Sequence, residues 1–139
     1  LKLSVGITHK KNMTELHSSF LSMRKMIAEI NQAYKSSLII LDGIEAFVDG
    51  GPMEGFRKRA DVIIAGTDRI AIDAVGLAVL KEIGSNKAIM DKKIFEQEQI
   101  ARAVELGLGV AGPGDIEIIA GDEASIRYAE RLSSILLKG

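Results

Sequence analysis

Two short, continuous apolar runs, Leu38–Leu41 and Val62–Ala65, constrain the fold of this chain more than any other feature. Each run is too short for a buried helix, and each is followed directly by turn-forming residues. Continuous apolar runs of this length are typical of central strands that are covered on both faces. We therefore predict a buried strand at each run, another strand at residues 2–8 and an edge strand at residues 116–119.

Helical patterns separate these strands. Apolar residues at spacings of three and four, beginning with Phe20, predict a helix from Ser18 or Ser19 to about Tyr34. Residues 70–83 predict a helix that is apolar on nearly all sides and hence buried. Two further helices are expected, one between Asp91 and Leu106 and one that begins after Asp122.

The order of these elements alternates between strands and helices, which favours a sheet whose strands run mainly in parallel. The predicted fold class is therefore α/β, with a mainly parallel sheet of about four strands flanked by helices. A length of 139 residues fits a single domain over the whole chain. Because the first residue is Leu1 and not Met, we expect this domain to be the carboxyl-terminal part of a longer protein.

Composition excludes several kinds of partner and site. The net charge of -1, the aromatic content of 4% and the absence of Trp argue against nucleic-acid binding. The longest apolar stretch is interrupted by Asp73, so no membrane span is expected. Without a visible targeting signal, a soluble protein in the cytoplasm is the default expectation. Since the chain has no Cys, it cannot itself hold a cysteine-ligated iron–sulfur cluster.

Ligands of open parallel sheets bind beyond the carboxyl ends of the strands, and residues 8–17 are expected to lie there. In this segment Lys11 and Asn12 are candidates for contact with an anionic group. His17 is a candidate for proton transfer near neutral pH. The alternative is a basic surface turn with a histidine at the start of a helix.

A second segment at that edge, residues 42–55, is acidic and rich in glycine. Carboxylates in one loop can hold a hard cation, so Asp42 and Glu45 are candidate ligands of a divalent metal such as magnesium. Gly51, Pro52 and Gly55 are candidate ligand contacts, because glycine lets a backbone turn sharply and approach a ligand. The alternative is a solvated turn in which these residues serve backbone geometry alone.

The third segment, residues 66–73, contains two aspartates. Asp68 is a candidate ligand contact but is also in the right place to cap a helix. Asp73 follows one turn later among apolar neighbours, where a buried carboxylate needs a partner. Arg69, four residues before Asp73, is one possible partner at helical spacing. The sequence leaves two roles open for Asp73, which are contact with a ligand and a purely structural role.

These three segments, in this order, resemble the family known as domain of unknown function 362. Members of that family show a Thr-x-x-Lys-Asn element followed by His, a strand ending in Asp-Gly/Ala-Ile, a glycine-proline loop, and an Asp-x-x-Ala-x-Asp element. The resemblance covers about residues 1–121. The matching residues are Thr8, Lys11, Asn12, His17, Asp42, Gly43, Ile44, Gly51, Pro52, Gly55, Asp68, Ala71 and Asp73.

The resemblance leaves the activity open, because the family is itself uncharacterised. Some of its members are linked to ferredoxin-like iron–sulfur modules, which implies an iron–sulfur protein or domain as a partner. One hypothesis is therefore a ligand- or metal-binding domain, enzymatic or not, with its site on the glycine- and aspartate-rich loop. The alternative is a non-catalytic module associated with an iron–sulfur electron-transfer protein. A third interpretation gives the aspartates and the loop structural roles only.

Overall fold

The structure is a computed structural model that describes residues 1–19, 22–51 and 53–139. Its strands are β1 (Ile39–Gly50) and β2 (Gly55–Gly66). The helices along the described chain are α1 (Lys10–Ser18), α2 (Met23–Ile30), α3 (Arg69–Ile83), α4 (Lys87–Met90), α5 (Glu98–Glu105) and α6 (Glu123–Lys138). Short 3₁₀ helices lie at Lys2–Ile7, Asn31–Ala33, Ile94–Glu96 and Pro113–Asp115.

The sheet corrects the predicted fold class. Over the described residues it has two strands, β1 and β2, which pair in antiparallel fashion from Ile39 opposite Gly66 to Gly50 opposite Gly55. A mainly parallel sheet of about four strands is therefore wrong. The error comes from residues 43–60, which contain four glycines and one proline and were predicted to be a loop. Most of these residues continue the two strands, so the chain reverses within a hairpin and does not cross over through a helix.

Other expected elements also differ. Residues 2–8 were expected as a strand, but Lys2–Ile7 form a 3₁₀ helix. Residues 116–119, expected as an edge strand, join no ladder within the described chain. Residues 10–18, expected as part of a loop, form α1, and the helix expected from Ser18 or Ser19 begins only at Met23. Phe20, which was placed on the apolar stripe of that helix, lies outside the described residues.

Helix α3 forms the centre of the fold, as its apolar sequence predicts. Ile70, Ala74 and Ala78 are fully buried in it, and the helix contacts both strands as well as α5 and α6. It begins at the cap residue Asp68 and ends at Gly84, whose φ of 76° is a left-handed conformation that favours glycine. The buried helix predicted over residues 70–83 is thus confirmed.

The hairpin packs on α3 through one face. Val62 and Ile64 are half-buried against the core, and a methyl group of Leu41 approaches Gly76 of α3 closely. The other face leaves Ile40 64% exposed and Ile63 65% exposed. The expectation of strands buried on both faces is therefore wrong, because within the described chain the helices cover only one side of the hairpin. No helix in the described residues is long and apolar enough to span a membrane.

Candidate functional site

The sequence-predicted candidates of residues 8–17 lie on helix α1. Lys11, Asn12 and His17 are all exposed on this helix, and their side chains make no hydrogen bond within the described residues. His9 has a structural task, because its Nδ1 accepts a hydrogen bond from the backbone N–H of Lys11 at 3.2 Å. The helix begins at this contact.

Asp42 and the glycine turn lie at opposite ends of the hairpin. Asp42 pairs with Ile63 near the base, whereas Gly51 follows the last residue of β1 at the tip. Nine residues of strand separate the two positions by about 30 Å. The convergence expected from a parallel sheet edge is therefore wrong. Asp42 accepts a hydrogen bond from the backbone N–H of Ile44 at 2.9 Å, and Glu45 forms an exposed ion pair with Arg57 at 3.7 Å.

The glycines at the tip close the hairpin. Gly51 has a φ of 80° and donates its N–H to the carbonyl oxygen of Glu54 at 2.5 Å. A Cβ on Gly55 would collide with the carbonyl oxygen of Asp49 and lie 2.7 Å from the nitrogen of Gly51. Backbone geometry therefore accounts for both glycines. Pro52 lies outside the described residues.

Asp68 has three backbone donors around its carboxylate. One oxygen accepts from the N–H groups of Ile70 and Ala71 at 2.8 Å each and so caps α3. The other oxygen accepts from the N–H of Val110 at 3.0 Å. The adjacent Gly109 approaches this carboxylate so closely that a Cβ there would collide with it. Asp68 thus joins the start of α3 to the loop that contains Val110.

Asp73 is half-buried and paired, but not with the arginine suggested by helical spacing. Its carboxylate lies 2.9 Å from the backbone nitrogen of Leu1 and accepts a hydrogen bond from Gln99 at 3.2 Å. Arg69 instead donates to the carbonyl oxygens of Asn31 at 2.5 Å and Tyr34 at 2.8 Å. Asp68 and Asp73 therefore face different parts of the molecule.

A cleft of about 650 Å³ lies between β2, α3, residues 115–121 and the first half of α6. It was not predicted from the sequence. Of the predicted candidates, Asp68 is the one that contributes to its lining among the described residues. Residues 60–68 and residues 115–121 line it without a break. In β2, an unbroken run includes side chains of both faces of the strand, which is what a cleft along its backbone edge would give.

Tyr128 of α6 also lines the cleft, and the sequence offered no signal for it. Its hydroxyl is buried and has no hydrogen-bond partner within the described chain. Burial raises the pKa of this hydroxyl above its ordinary value. The nearby Glu82 raises the pKa further, while Arg131, which lies over the ring at 5.1 Å, opposes the shift. A buried polar group without a partner is uncommon in folded proteins, and because this oxygen is buried it does not itself open onto the cleft.

The charged residues of the cleft are all acidic within the described lining. They are Asp61, Asp68, Asp115 and Glu117. Three of these carboxylates already have partners. Asp61 pairs with Arg59, and Asp68 caps α3. Asp115 accepts hydrogen bonds from the N–H groups of Ala111 and Gly112. Glu117 is exposed and makes no hydrogen bond or ion pair among the described residues. The described residues also contain no group of three or more His, Cys, Asp or Glu arranged to hold a metal ion.

The comparisons with known proteins concern part of this architecture. A family model described as "Domain of unknown function (DUF362)" matches residues 1–78 of the 139-residue chain. The match includes α1, α2, the hairpin and the first part of α3, and hence the β2 wall of the cleft. The opposite wall, residues 115–121 and α6, lies beyond it. Comparison with curated proteins and with solved structures gave no significant match.

Proposed function

Because the chain belongs to the uncharacterised DUF362 family, we propose that it is a ligand-binding domain whose ligand lies in the cleft between β2 and α6. The observation that carries this proposal is the set of polar groups facing the cleft. They are the backbone groups of residues 60–66 and the N–H groups of residues 117–120, which make no backbone hydrogen bond outside the hairpin ladder among the described residues. Polar groups of this kind fix the orientation of a ligand in a mainly apolar pocket.

The dimensions and lining of the cleft support the same proposal. Its volume of about 650 Å³ falls within the range of ordinary ligand pockets. Half-buried or buried apolar side chains form its floor, among them Ile72 and Val75 of α3 and Leu132 of α6. Such a floor contributes affinity by removing apolar ligand surface from water.

Indole is a suitable small probe, because it combines an apolar ring with one hydrogen-bond donor. When indole is titrated into the ¹⁵N-labelled chain, we expect the amide signals of residues 62–66 and 116–120 to shift. Ala124→Trp places a large side chain in the cleft and should abolish these shifts. Ala88→Trp is the matched control, since Ala88 is exposed on α4 and does not line the cleft. Shifts confined to other surfaces, or unchanged in Ala124→Trp, would exclude the cleft as a binding site.

The metal expectation for Asp42 and Glu45 stays a prediction. Calorimetric titration of Mg²⁺ into the protein and into Asp42→Asn tests it, because loss of the carboxylate charge should remove any heat of binding at this position. A ligand at the glycine turn also stays a prediction. Changes in the chemical shifts of residues 50–55 on addition of a ligand test it.

A second candidate function is docking to a partner protein, and one observation favours it. The hairpin exposes Ile40, Ile44 and Ile63 on the side away from α3, and Met53 and Phe56 are exposed near its tip. Exposed apolar groups that cluster are typical of interaction surfaces. The resemblance implies an iron–sulfur partner, whose identity stays a prediction. Titration with a purified [4Fe–4S] ferredoxin, followed through the amide signals of these residues, tests it.

A further inference from the structure

We infer that the ligand of the cleft is an extended segment of a partner polypeptide, which binds as an additional strand between β2 and residues 116–120. This inference rests on the proposed function, because it names the class of ligand that the cleft receives. The observations that support it concern the backbone N–H and C=O groups of the two walls of the cleft.

The first wall is a free strand edge. β2 pairs with β1 along one edge, and the sheet has no further strand in the described chain. Residues 60–66 line the cleft consecutively, with side chains of both faces represented, so the cleft follows the other edge. Outside the hairpin ladder, the backbone of residues 60–66 makes no backbone hydrogen bond to another described residue. Its outward N–H and C=O groups are therefore available to an added strand.

The second wall has the form of a strand without a partner. Ile116 has an extended backbone, and residues 116–120 alternate between half-buried and exposed positions. Ile116 and Ile118 pack against the core, whereas Glu117 is exposed and Ile119 is 84% exposed. The N–H groups of residues 117–120 make no backbone hydrogen bond within the described residues. The alternation of side chains that predicted an edge strand here is thus present in the structure. No neighbouring strand pairs with this segment among the described residues.

A polypeptide matches these two walls better than a compact molecule does. Only an extended chain carries N–H and C=O groups on both of its edges at the spacing of a strand, and can pair with both rows at once. Main-chain pairing then supplies affinity, and alternate side chains supply specificity.

The side chains around the cleft indicate the composition of the bound segment. The apolar floor, which includes Ile72, Val75 and Leu132, favours apolar residues on the inward face of the partner strand. Glu117 is the acidic group of the lining without a partner in the described chain, and no described lining residue is basic. Charge complementarity therefore favours Lys or Arg at alternate positions. The expected ligand is a short strand in which apolar and basic residues alternate.

The test uses a fluorescein-labelled peptide of alternating Lys and Val, seven residues long, and measures binding by fluorescence anisotropy. Two control peptides carry N-methyl groups on the amides of one edge or of the other. Each methyl group removes a donor and obstructs strand pairing while all side chains are kept. We expect the parent peptide to bind and each methylated peptide to bind at least tenfold more weakly.

A charge exchange tests the side-chain part of the inference. Glu117→Lys should weaken binding of the Lys–Val peptide and strengthen binding of the corresponding Glu–Val peptide. Glu130→Lys is the control, because Glu130 is exposed on α6 and does not line the cleft. Equal binding of the parent and methylated peptides would overturn the inference. If indole occupies the cleft but the parent peptide does not bind, the inference fails while the proposed function stands. If indole does not occupy the cleft, the proposed function itself fails.

Discussion

Asp68 and Asp73 both occupy the amino-terminal half of the α3 region, yet their surroundings differ in kind. The carboxylate of Asp68 is surrounded by backbone N–H groups of α3 and of the Val110 loop. Asp73 instead faces the backbone nitrogen of Leu1 and the side chain of Gln99. The segments that fold against each aspartate thus determine which groups its carboxylate contacts. The sequence, in which the two aspartates lie five positions apart, does not reveal those segments.

Replacing Asp68 with Ala should lower the free energy of unfolding by about 2 kcal/mol, because a helix cap and a loop hydrogen bond are lost together. Asp68→Asn should retain part of this stability if its oxygen still caps α3, but its amide group cannot accept from Val110. Urea unfolding provides the measurement. Asp122→Ala, at the exposed cap of α6, is the control, and an equal loss in that variant would contradict the role of Asp68 in holding the loop.

Tyr128 should titrate above the ordinary tyrosine value of about 10, since burial disfavours its charged form. Because its pKa in the folded state is raised, its contribution to stability is complete below the unfolded value and is lost as the pH rises through the folded value. Absorbance at alkaline pH in a Tyr34→Phe background isolates this group, since the chain has two tyrosines. Glu82→Gln should lower the pKa of Tyr128, and an unchanged titration would show that Glu82 does not act on it.

At the scale of single elements, the sequence predicted helices better than strands. The aspartate caps of α3 and α6 and the terminal glycine of α3 are local signals, and a helix depends mostly on local contacts. The hairpin was not predicted, because Gly43, Gly50, Gly51 and Gly55 suggested a loop. In the structure most of these glycines lie within the strands, and the residues outside the strands form only the turn at the tip. Strand direction depends on which segments pair, and alternation of elements does not fix that.

Gly55→Ala should destabilise the hairpin by about 2 kcal/mol, because the new Cβ would collide with backbone atoms of Asp49 and Gly51 that cannot move aside easily. Gly6→Ala is the matched control, since a Cβ on Gly6 meets nothing within 4 Å. Its effect should stay within about 0.5 kcal/mol. Thermal unfolding of both variants gives the comparison, and equal effects would argue that the tip does not need glycine at position 55.

For the whole molecule, the candidate site could not be found from the sequence, because the cleft combines segments from distant parts of the chain. Residues 60–68 and 115–121 are brought together by α3, which contacts the hairpin on one side and α6 on another. Of the expected ligand contacts, Asp68 reaches the cleft, whereas Lys11, Asn12, His17, Asp42, Gly51, Gly55 and Asp73 lie elsewhere.

Arg69 joins α3 to the end of α2, and its replacement should affect the entire fold. The guanidinium is buried, donates to carbonyl oxygens of Asn31 and Tyr34, and lies 5.1 Å from the centre of the Tyr34 ring. Arg69→Lys keeps the charge but cannot make the same branched contacts, so about 2 kcal/mol of stability should be lost. Arg24→Lys, at an exposed position of α2, should change little in the same urea experiment. A similar loss in both variants would show that the branched contacts are unimportant.

The outer half of β2 differs from the inner half in charge, and this has a consequence for self-association. Arg57, Lys58 and Arg59 follow one another there, and next to them Asp61 adopts a φ of 52° at an irregular point of the ladder. Consecutive like charges and an irregular ladder make it unfavourable for the edge strands of two copies to pair and form fibrils. Salt shortens the range of that repulsion to about 8 Å at 0.15 M and about 3 Å at 1 M. Concentrated salt should therefore weaken this protection and favour association of copies along the outer half of β2.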